Sequence, residues 1–392
     1  MKLYFLFLFT IIHGSTPAHN EPKSTDPLIV IILMVKNEEH VMQSTLQPYI
    51  DAGIDAYVIL DTGSTDNTIH ITQNLFEQHN IYNGYIFKQP FVDFAVSRNY
   101  ALMCAEKTFP HAQFFLMIDA EWYMHNVPGL IQFCQDNQDC TESSFLLLMR
   151  DCRMETATQR LFKAQAGIRY EGAVHEAPNQ ITTKRVPNNI YFELSPSHQG
   201  IEKSKQRWIR DQDILLTEFE KNPDNPRTIF YLAQTYACLQ DHKNACLWYH
   251  KRCEQHGWDE ENFMARYRLA QTYEALNQWN DALFYYLEAY NLRPHRAEPL
   301  ICIAAHYWQT HNYQLAFMFA QKATTIAYPL HDFLFVESIA YHYTRYDLLG
   351  CAAWYVGEYE TGKNAVLKAL KYNPYAQHLV SNLMLYLQAT EQ

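Results

Sequence analysis

The sequence predicts a chain of two parts, an α/β unit with a largely parallel sheet followed by an all-helical unit of repeats. Up to about residue 200, short apolar runs alternate with polar helix-like stretches, and such alternation is typical of a largely parallel sheet. From about Ile201 onward the alternation stops, and the segment LAQTY occurs at Leu232 and, 37 residues later, at Leu269. At 392 residues the chain is long enough for two or three domains, each with its own core.

The first 27 residues differ in character from the rest. One lysine precedes an apolar run, Leu3–Ile12, which is about half of the roughly 20 residues that a membrane-spanning helix needs. Small residues follow the run, so residues 1–18 are predicted to be a secretory signal peptide and residues 19–27 a linker. An uncleaved hydrophobic anchor is the alternative. A signal peptide would imply export, and without one the chain would be cytoplasmic.

Composition narrows the function classes. The formal net charge of −11 argues against a duplex nucleic-acid binder, because neutralising phosphates requires a basic face. With 48% apolar and 19% charged residues, most of the chain is expected to fold. The nine cysteines form no CxxC pair and no zinc-like spacing, and most are expected to be small buried apolar residues.

Four apolar runs are the predicted strands of the first unit. Leu28–Val35 has the length and continuous apolar character of a strand that is buried on both faces. A helix-like stretch, Glu38–Ile50, separates it from the second strand, Ala56–Asp61. The third and fourth predicted strands are Tyr85–Pro90 and Phe114–Asp119.

Polar residues stand where three of these strands end. They are Lys36-Asn37-Glu38, Asp61-Thr62-Gly63-Ser64 and Asp119-Ala120-Glu121. In parallel sheets, ligands bind beyond the carboxyl ends of the strands, so these side chains are predicted to line one site. Asp119 and Glu121 are either a carboxylate pair that holds a divalent cation or only the polar end of a strand.

The repeats of the second unit follow a spacing of small and aromatic residues. The second LAQTY copy continues with Ala282, Tyr286, Ala289 and Pro294, and these intervals resemble the tetratricopeptide repeat. Further units are centred on Ala304 to Ala323 and on Gly350 to Pro374, the last one preceded by an irregular insertion, His331–Asp347. Small residues at these positions let paired helices approach closely. The many Tyr and Trp residues are expected in the cores of helix pairs, with a peptide-binding groove as the alternative.

An ordered set of motifs carries a family resemblance. The segments are VKNEE at Val35–Glu39, LDTGSTDNT at Leu60–Thr68, SRNYAL at Ser97–Leu102, the Asp119/Glu121 carboxylates, GIRYEGAVHE at Gly167–Glu176 and SHQG near His198. Together they resemble the family 2 glycosyltransferases with the GT-A fold, in particular bacterial-type members with tetratricopeptide repeats after the catalytic domain. The resemblance implies a Rossmann-like GT-A nucleotide-sugar transferase domain over residues 28–200, followed by a helical linker and repeat domain over residues 201–392.

The resemblance also implies roles for individual residues. Those expected to bind the donor are Asn37, Glu38, Asp61, Ser64, Asp66, Arg98 and Asn99. Asp119, Glu121 and His198 would hold Mn²⁺ or Mg²⁺, and Arg160 would support the donor. Glu176 would be the catalytic base of an inverting, metal-dependent transfer from a nucleotide sugar, with UDP as the expected nucleotide. The family usually has Asp-Ala-Asp-Glu where this chain has Asp119-Ala120-Glu121-Trp122, and the longer Glu side chain still permits ligation.

Simpler roles remain open for several of these residues. Ser64 and Asp66 could only cap a helix, and Arg98 could be a surface charge. Glu176 could form a salt bridge to Arg169, and His198 could be structural.

Three function classes follow from these patterns. The leading prediction is a glycosyltransferase that acts on a protein or glycan acceptor, with the repeats binding a protein partner or a second copy of the chain. The altered Asp-Ala-Glu motif favours an alternative, a non-catalytic repeat adaptor with a degenerate transferase domain. A nucleotidyltransferase is the third possibility, since such enzymes also hold Mg²⁺ on carboxylates of an α/β sheet.

Overall fold

The computed structural model describes residues 26–390, so the predicted signal peptide and most of the predicted linker lie outside the described residues. The chain divides into two compact units. The first runs to Asp151 and resumes from Ala157 to Glu202, and the second contains Cys152–Thr156 and the chain from Lys203 onward. No helix among residues 26–390 has the length and apolar character needed to cross a bilayer.

Strands and helices alternate in the first part of the described chain. The strands are β1 (Ile29–Val35), β2 (Ala56–Asp61), β3 (Asn83–Lys88), β4 (Phe114–Ile118), β5 (Trp122–His125), β6 (Ser144–Arg150), β7 (Glu155–Lys163), β8 (Tyr170–Glu171), β9 (Ala177–Pro178) and β10 (Tyr191–Leu194). The helices between them are α1 (Met42–Asp51), α2 (Thr68–Gln78), α3 (Phe94–Thr108) and α4 (Val127–Asp136).

Eight of these strands form one mixed sheet in the order β3-β2-β1-β4-β7-β6-β10-β5. The four predicted strands pair in parallel, β1 with both β2 and β4, and β2 with β3. The other half is mixed, because β7 is antiparallel to β4 and β5 is antiparallel to β10. The prediction of a largely parallel sheet is therefore confirmed for the first half only. β8 and β9 form a separate two-stranded ribbon.

Pairing partners, more than local residue preference, set the ends of these elements. The third strand was predicted at Tyr85–Pro90, but β3 begins at Asn83, where it pairs with Ala56, and ends at Lys88, opposite Asp61. The helix predicted from Glu38 begins only at Met42. Asn37 has a left-handed backbone, with φ of 58°, and the backbone N–H of Glu38 donates to Thr68 Oγ1 at 2.7 Å.

The sheet has an apolar core on each face. Alternate residues of β1 belong to different clusters: Ile31 and Leu33 pack with α1 and α2, whereas Val30 and Ile32 pack with α3. The prediction of a first strand buried on both faces is confirmed. This burial holds the carboxyl ends of β1, β2 and β4 rigidly beside one another.

The second unit is a series of helix pairs. After α5 (His198–Lys221), the helices are α6 (Pro226–Cys238), α7 (His242–Cys253), α8 (Asp259–Ala275), α9 (Trp279–Leu292), α10 (Glu298–Gln309), α11 (Tyr313–Thr324), α12 (Arg345–Tyr355), α13 (Tyr359–Tyr372) and α14 (Gln377–Thr390). The predicted small residues are buried where the helices meet. At Gly362, an added Cβ would lie 2.1 Å from the Tyr386 hydroxyl. The predicted tetratricopeptide-type helix pairing is confirmed.

The predicted insertion before the last pair is irregular and ends in a π-helical turn, Ala340–Thr344. Ion pairs hold the start of this insertion against the preceding helices. The fully buried Arg296 lies 3.1 Å from Asp332 of the insertion and 2.7 Å from Glu298.

All nine cysteines are free thiols. Three are buried, four are half-buried, and Cys152 and Cys238 are exposed. The expectation that most are buried is therefore only partly met.

Candidate active site

Two loops at the carboxyl ends of β1 and β2 hold one another. Asn37, with φ of 58°, donates its backbone N–H to Ser64 Oγ at 3.0 Å, and its side-chain oxygen accepts the Thr65 N–H at 2.7 Å. Asp61 is buried, and its Oδ1 accepts the N–H groups of Gly63 and Ser64 at 3.2 and 2.8 Å. The predicted donor residues of these loops are thus brought together, but much of their hydrogen bonding serves the loops themselves.

Asp66 belongs to the same network and precedes α2. Its carboxylate accepts the backbone and hydroxyl donors of Thr68 at 3.0 and 2.5 Å and the Glu39 N–H at 3.3 Å. Partial burial acts to raise the pKa of the Asp66 carboxyl, but the hydrogen bonds from Thr68 outweigh it and lower that pKa. Capping and loop tethering account for these contacts.

A buried cluster of two arginines and two carboxylates lies beyond β4. Arg98 of α3 donates Nε to Glu176 Oε1 at 2.6 Å and places Nη2 2.8 Å from Asp119 Oδ1. Arg160 of β7 donates Nη2 to Asp119 Oδ2 at 3.1 Å and lies 4.0 Å from Glu176 Oε1. Four separate segments converge here, which no single motif in the sequence reveals. Burial acts to lower the pKa of Arg98, but the charges of Asp119 and Glu176 raise it above its usual value.

Aromatic rings enclose this cluster. The Arg160 guanidinium lies 4.8 Å from the centre of the Trp122 ring, and both guanidiniums lie within 5.8 Å of the centre of the buried Tyr170 ring. Nη1 of Arg98, Nη1 of Arg160 and the Tyr170 hydroxyl are buried, and none has a hydrogen-bond partner in the described chain. Buried donors without protein partners are rare in native proteins, and water or a ligand commonly satisfies them.

The side-chain amide of Asn99 binds the backbone of Tyr170 and does not bind the arginine–carboxylate cluster. Its side chain donates to the Tyr170 carbonyl at 2.9 Å and accepts the Tyr170 N–H at 2.7 Å. These two bonds fix β8 against α3 and hold the Tyr170 ring in position.

Glu121 turns away from Asp119 and toward the start of α5. Its backbone has φ of 65°, in the left-handed region. Its Oε1 accepts the Ser197 N–H at 2.9 Å, while the Ser197 hydroxyl accepts the Gly200 N–H at 3.0 Å. This is the reciprocal pattern of a helix-capping box, with the acidic side chain supplied from another segment. An added Cβ at Gly200 would lie 2.3 Å from Glu121 Oε2, so only glycine permits this approach.

Asp119 and Glu121, the predicted cation ligands, contact different neighbours, and an imidazole lies near Glu121. His40 Nε2 lies 3.7 Å from Glu121 Oε1, and His198 directly follows Ser197. Carboxylate and imidazole are both ligands of Mn²⁺. Asp119, by contrast, already faces two guanidiniums. Among residues 26–390, no group of three or more His, Cys, Asp or Glu side chains is arranged to hold a metal ion, so any metal there would need the remaining ligands from a bound phosphate or from water.

The structure corrects two of the simpler roles. Arg98 is not a surface charge, since it is 3% exposed. Arg169 does not pair with Glu176 but forms a bidentate pair with Glu106 at 2.8 and 2.7 Å. His198 is exposed at the start of α5.

Sequence reasoning missed four residues of these clusters: Tyr170, Trp122, His40 and Ser197. His40 directly follows the VKNEE motif and Ser197 opens the SHQG segment, so their positions beside motifs were the available signals. Tyr170 lies inside the GIRYEGAVHE segment and Trp122 directly follows Glu121, but no pattern indicated that their rings lie beside the arginines.

Two curated relatives share sequence with the chain. It is 25% identical over 242 residues to the SPbeta prophage-derived glycosyltransferase SunS of Bacillus subtilis (strain 168), covering 57% of this chain and 52% of the relative. The same values hold for the glycosyltransferase SunS of Bacillus phage SPbeta. The chain thus spans about half the length of these relatives. No protein-family model matches it. The chain is a distant relative of a glycosyltransferase.

Solved structures resemble the chain only in part. One is the C-terminal part of a TPR repeat-containing protein from Cytophaga hutchinsonii, with 14% identity and a TM-score of 0.39 over 48% of this chain and 68% of that one. Another is YrrB, described as a TPR protein with an unusual peptide-binding site, with 12% identity and a TM-score of 0.36 over 45% and 84%.

Proposed function

We propose that the first unit is a glycosyltransferase that moves a sugar from a nucleotide-sugar donor, with UDP as the nucleotide, to an acceptor. The observation that carries the proposal is the convergence of Arg98, Arg160, Asp119 and Glu176 beyond the parallel strands. The distant similarity to SunS supports the transfer of a sugar over other chemistry on a similar sheet, such as nucleotidyl transfer.

The arginines suit the leaving group of such a reaction. A nucleotide diphosphate gains negative charge as the bond to the sugar breaks, and preorganised positive donors stabilise that charge. The buried Nη1 atoms of Arg98 and Arg160 are donors that still lack a partner. Asp119 holds both guanidiniums in place, so we propose for it a positioning role in addition to the predicted one. Asn37, Glu38, Asp61, Ser64 and Asp66 form the loops that would border the nucleotide.

Glu176 is the proposed general base of an inverting transfer. Both guanidiniums contact its Oε1, so we assign Oε2 to the proton of the acceptor. A general base takes the proton of the acceptor as the new bond to the sugar forms.

A divalent cation, Mn²⁺ or Mg²⁺, is part of the proposal. Glu121 and His198 are its proposed ligands, with Asp119 kept as the predicted partner and His40 close by. When bound, such a cation adds positive charge at the diphosphate. Mg²⁺ sites commonly use one or two carboxylates and complete the shell with phosphate oxygens and water.

We also propose that the repeats of the second unit bind the acceptor or a protein partner. A protein or glycan acceptor would be delivered to the first unit, and the helix pairs would bind that acceptor, another protein or a second copy of the chain. Nucleic acid is not proposed as a partner, given the net charge of −11.

Calorimetric titration of the full chain with UDP, in Mn²⁺ and in EDTA, tests the donor site. The Asp119→Asn variant removes the charge that holds both arginines, and Asp136→Asn, at an exposed residue of α4, is the matched control. We expect UDP to bind wild type and the control but not Asp119→Asn, which thermal unfolding must show to be folded. If neither UDP nor any other common nucleotide binds, the transferase proposal is refuted and a non-catalytic repeat adaptor is favoured.

A second experiment tests the base. Glu176→Gln should bind UDP as wild type does, but should release UDP from a UDP-sugar, with water as the acceptor of the sugar, far more slowly. An unchanged turnover rate would remove Glu176 from the chemical step.

A further inference from the structure

A cavity of about 500 Å³ lies in the second unit, within the last helix pairs. Residues of α10, α12 and α14 line it, and these are the first helices of successive units. The cavity is large enough for a side chain together with part of the main chain that carries it. Its lining includes Trp308, Asp347, Cys351, Trp354, Tyr355 and His378.

Aromatic rings form part of the lining. The Trp308 and Tyr355 rings have centres 5.6 Å apart at an angle of 62°, and Tyr355 in turn stacks on Tyr313 at 3.9 Å. The Trp354 ring packs against Tyr386 at 5.4 Å. Tyr355 is 55% exposed. Two indole rings and a phenol ring in one lining offer the negative faces that attract a cation.

Asp347 is the carboxylate of this lining. Its Oδ1 accepts from His378 Nε2 at 3.0 Å and from Cys351 Sγ at 3.6 Å, and its side chain is 24% exposed. No lysine or arginine lines the cavity. In the described part of the chain, His378 is the basic side chain that contacts Asp347, and it is 52% exposed. The lining therefore combines aromatic rings with one carboxylate, which histidine and cysteine side chains already contact.

Cysteine, histidine and aspartate side by side could suggest thiol or metal chemistry. Burial and the neighbouring Asp347 raise the pKa of the Cys351 thiol to about 12, so little of the nucleophilic thiolate is present at neutral pH. The three side chains also do not form a metal-holding group within residues 26–390. Their arrangement orients the carboxylate and does not supply a nucleophile.

We propose that this cavity binds an arginine side chain of an extended peptide. The planar guanidinium stacks on aromatic faces and pairs with a carboxylate through two N–H donors, which suits flat rings beside Asp347. The partner is a protein segment with an exposed arginine, because the negative charge of Asp347 favours a positively charged side chain. This site lies outside the proposed donor site, and its occupation does not depend on sugar transfer.

The test uses the full chain labelled with ¹⁵N at tryptophan, which gives indole N–H signals for its seven tryptophans. Trp308→Phe and Trp354→Phe assign the two signals of the cavity. The probes are acetyl-Gly-Arg-Gly-amide and its citrulline analogue, which has nearly the same shape but no charge. We expect the arginine peptide to shift the two signals saturably, and the citrulline peptide to bind about 10- to 100-fold more weakly, as expected when a charge-assisted hydrogen bond is lost.

Asp347→Asn removes the charge but keeps an oxygen for His378. It should abolish the preference for arginine over citrulline, whereas Asp281→Asn, at an exposed residue of α9, should not. Equal binding of the two peptides by wild type, arginine binding that survives in Asp347→Asn, or shifts confined to the other tryptophans would each overturn the proposal. A stacked aromatic site without charge selection would then be the better description.

Discussion

Gly200→Ala isolates the contact between Glu121 and the start of α5. The new Cβ would lie 2.3 Å from Oε2 and 2.7 Å from Oε1 of Glu121, well inside van der Waals contact. The atoms in conflict belong to the end of a flexible side chain, so the carboxylate should swing away while the backbone stays. The change therefore moves the proposed metal ligand without altering its chemistry.

The effect on stability should be small because two terms oppose one another. Loss of the Ser197 N–H bond to a carboxylate costs about 1.5–3 kcal/mol, and Glu121 is only 12% exposed, so solvent replaces little of it. Alanine in place of glycine returns at most about 1 kcal/mol of helix propensity. We expect a net loss of about 0.5–2 kcal/mol in the free energy of unfolding, measured by urea titration.

The effect on donor binding should be larger. If Glu121 holds the cation, Gly200→Ala should weaken UDP binding in Mn²⁺ at least about tenfold and leave binding in EDTA unchanged, as measured by calorimetry. Gly129→Ala is the matched control, since Gly129 also lies three residues after an N-cap and its new Cβ would displace the capping side chain, Asn126. It should lose similar stability and keep UDP affinity. Unaltered Mn²⁺-dependent binding in Gly200→Ala would refute the assignment of Glu121.

Three further results are expected. Arg160→Gln removes one of two guanidiniums from the half-buried carboxylate of Asp119. It should lower the free energy of unfolding by about 1–3 kcal/mol and weaken UDP binding in calorimetry, and an unchanged UDP affinity would contradict the proposed role of Arg160. Partial burial acts to raise the pKa of the Asp66 carboxyl, but hydrogen bonds from Thr68 lower it below its usual value of 3.8. The carboxylate therefore stabilises the fold above that value, and this stabilisation is lost as the pH falls through the folded-state pKa. In urea titrations Asp66→Asn should be less stable than wild type at pH 7, and the difference in stability should disappear in acid; a difference that stays constant with pH would contradict this. Burial and the neighbouring Asp347 raise the pKa of the half-buried Cys351 thiol to about 12, so at pH 8 Cys351 should react with iodoacetamide far more slowly than exposed Cys152. Mass spectrometry should find Cys152 modified first, and equal rates would contradict the raised pKa of Cys351.

Most of the parallel half of the sheet was predictable because its strands are buried on both faces. β1 and β2 are continuous apolar runs, and continuous runs give a strong signal. The second half was predicted less well. β6 contains a buried apolar run, Phe145–Leu148, which the four predicted strands leave out although its signal is as strong. β5 and β10, by contrast, are only four residues long and half-buried. Their pairing with each other is a long-range contact that no local pattern contains.

The sequence predicted which residues belong to the candidate site better than it predicted how their side chains are arranged. Spacing placed Asp119 and Glu121 together at the end of β4, yet the positive φ of Glu121 sends the two carboxylates to different neighbours. The contact of Arg160 with Asp119 joins residues 41 positions apart in the chain. Such contacts depend on how β7 pairs with β4, which the sequence does not state locally.

The structure offers a physical explanation for why Asp119-Ala120-Glu121-Trp122 differs from the Asp-Ala-Asp-Glu pattern of the family that the sequence resembles. Trp122 packs 5.3 Å from Phe192 and carries the Arg160 guanidinium over its ring. A carboxylate at 122 would be a third acid beside two arginines, whereas the tryptophan leaves two charges of each sign in the buried cluster.

At 121, the extra methylene lengthens the side chain that accepts the Ser197 N–H. A decaying site would accumulate unpaired buried charges, because no ligand would then maintain the balance and each such charge is costly. Here each carboxylate of these clusters has a cationic or hydrogen-bonding partner. The altered motif is therefore compatible with the donor site that we propose, and calorimetric titration with UDP distinguishes that site from a degenerate transferase domain.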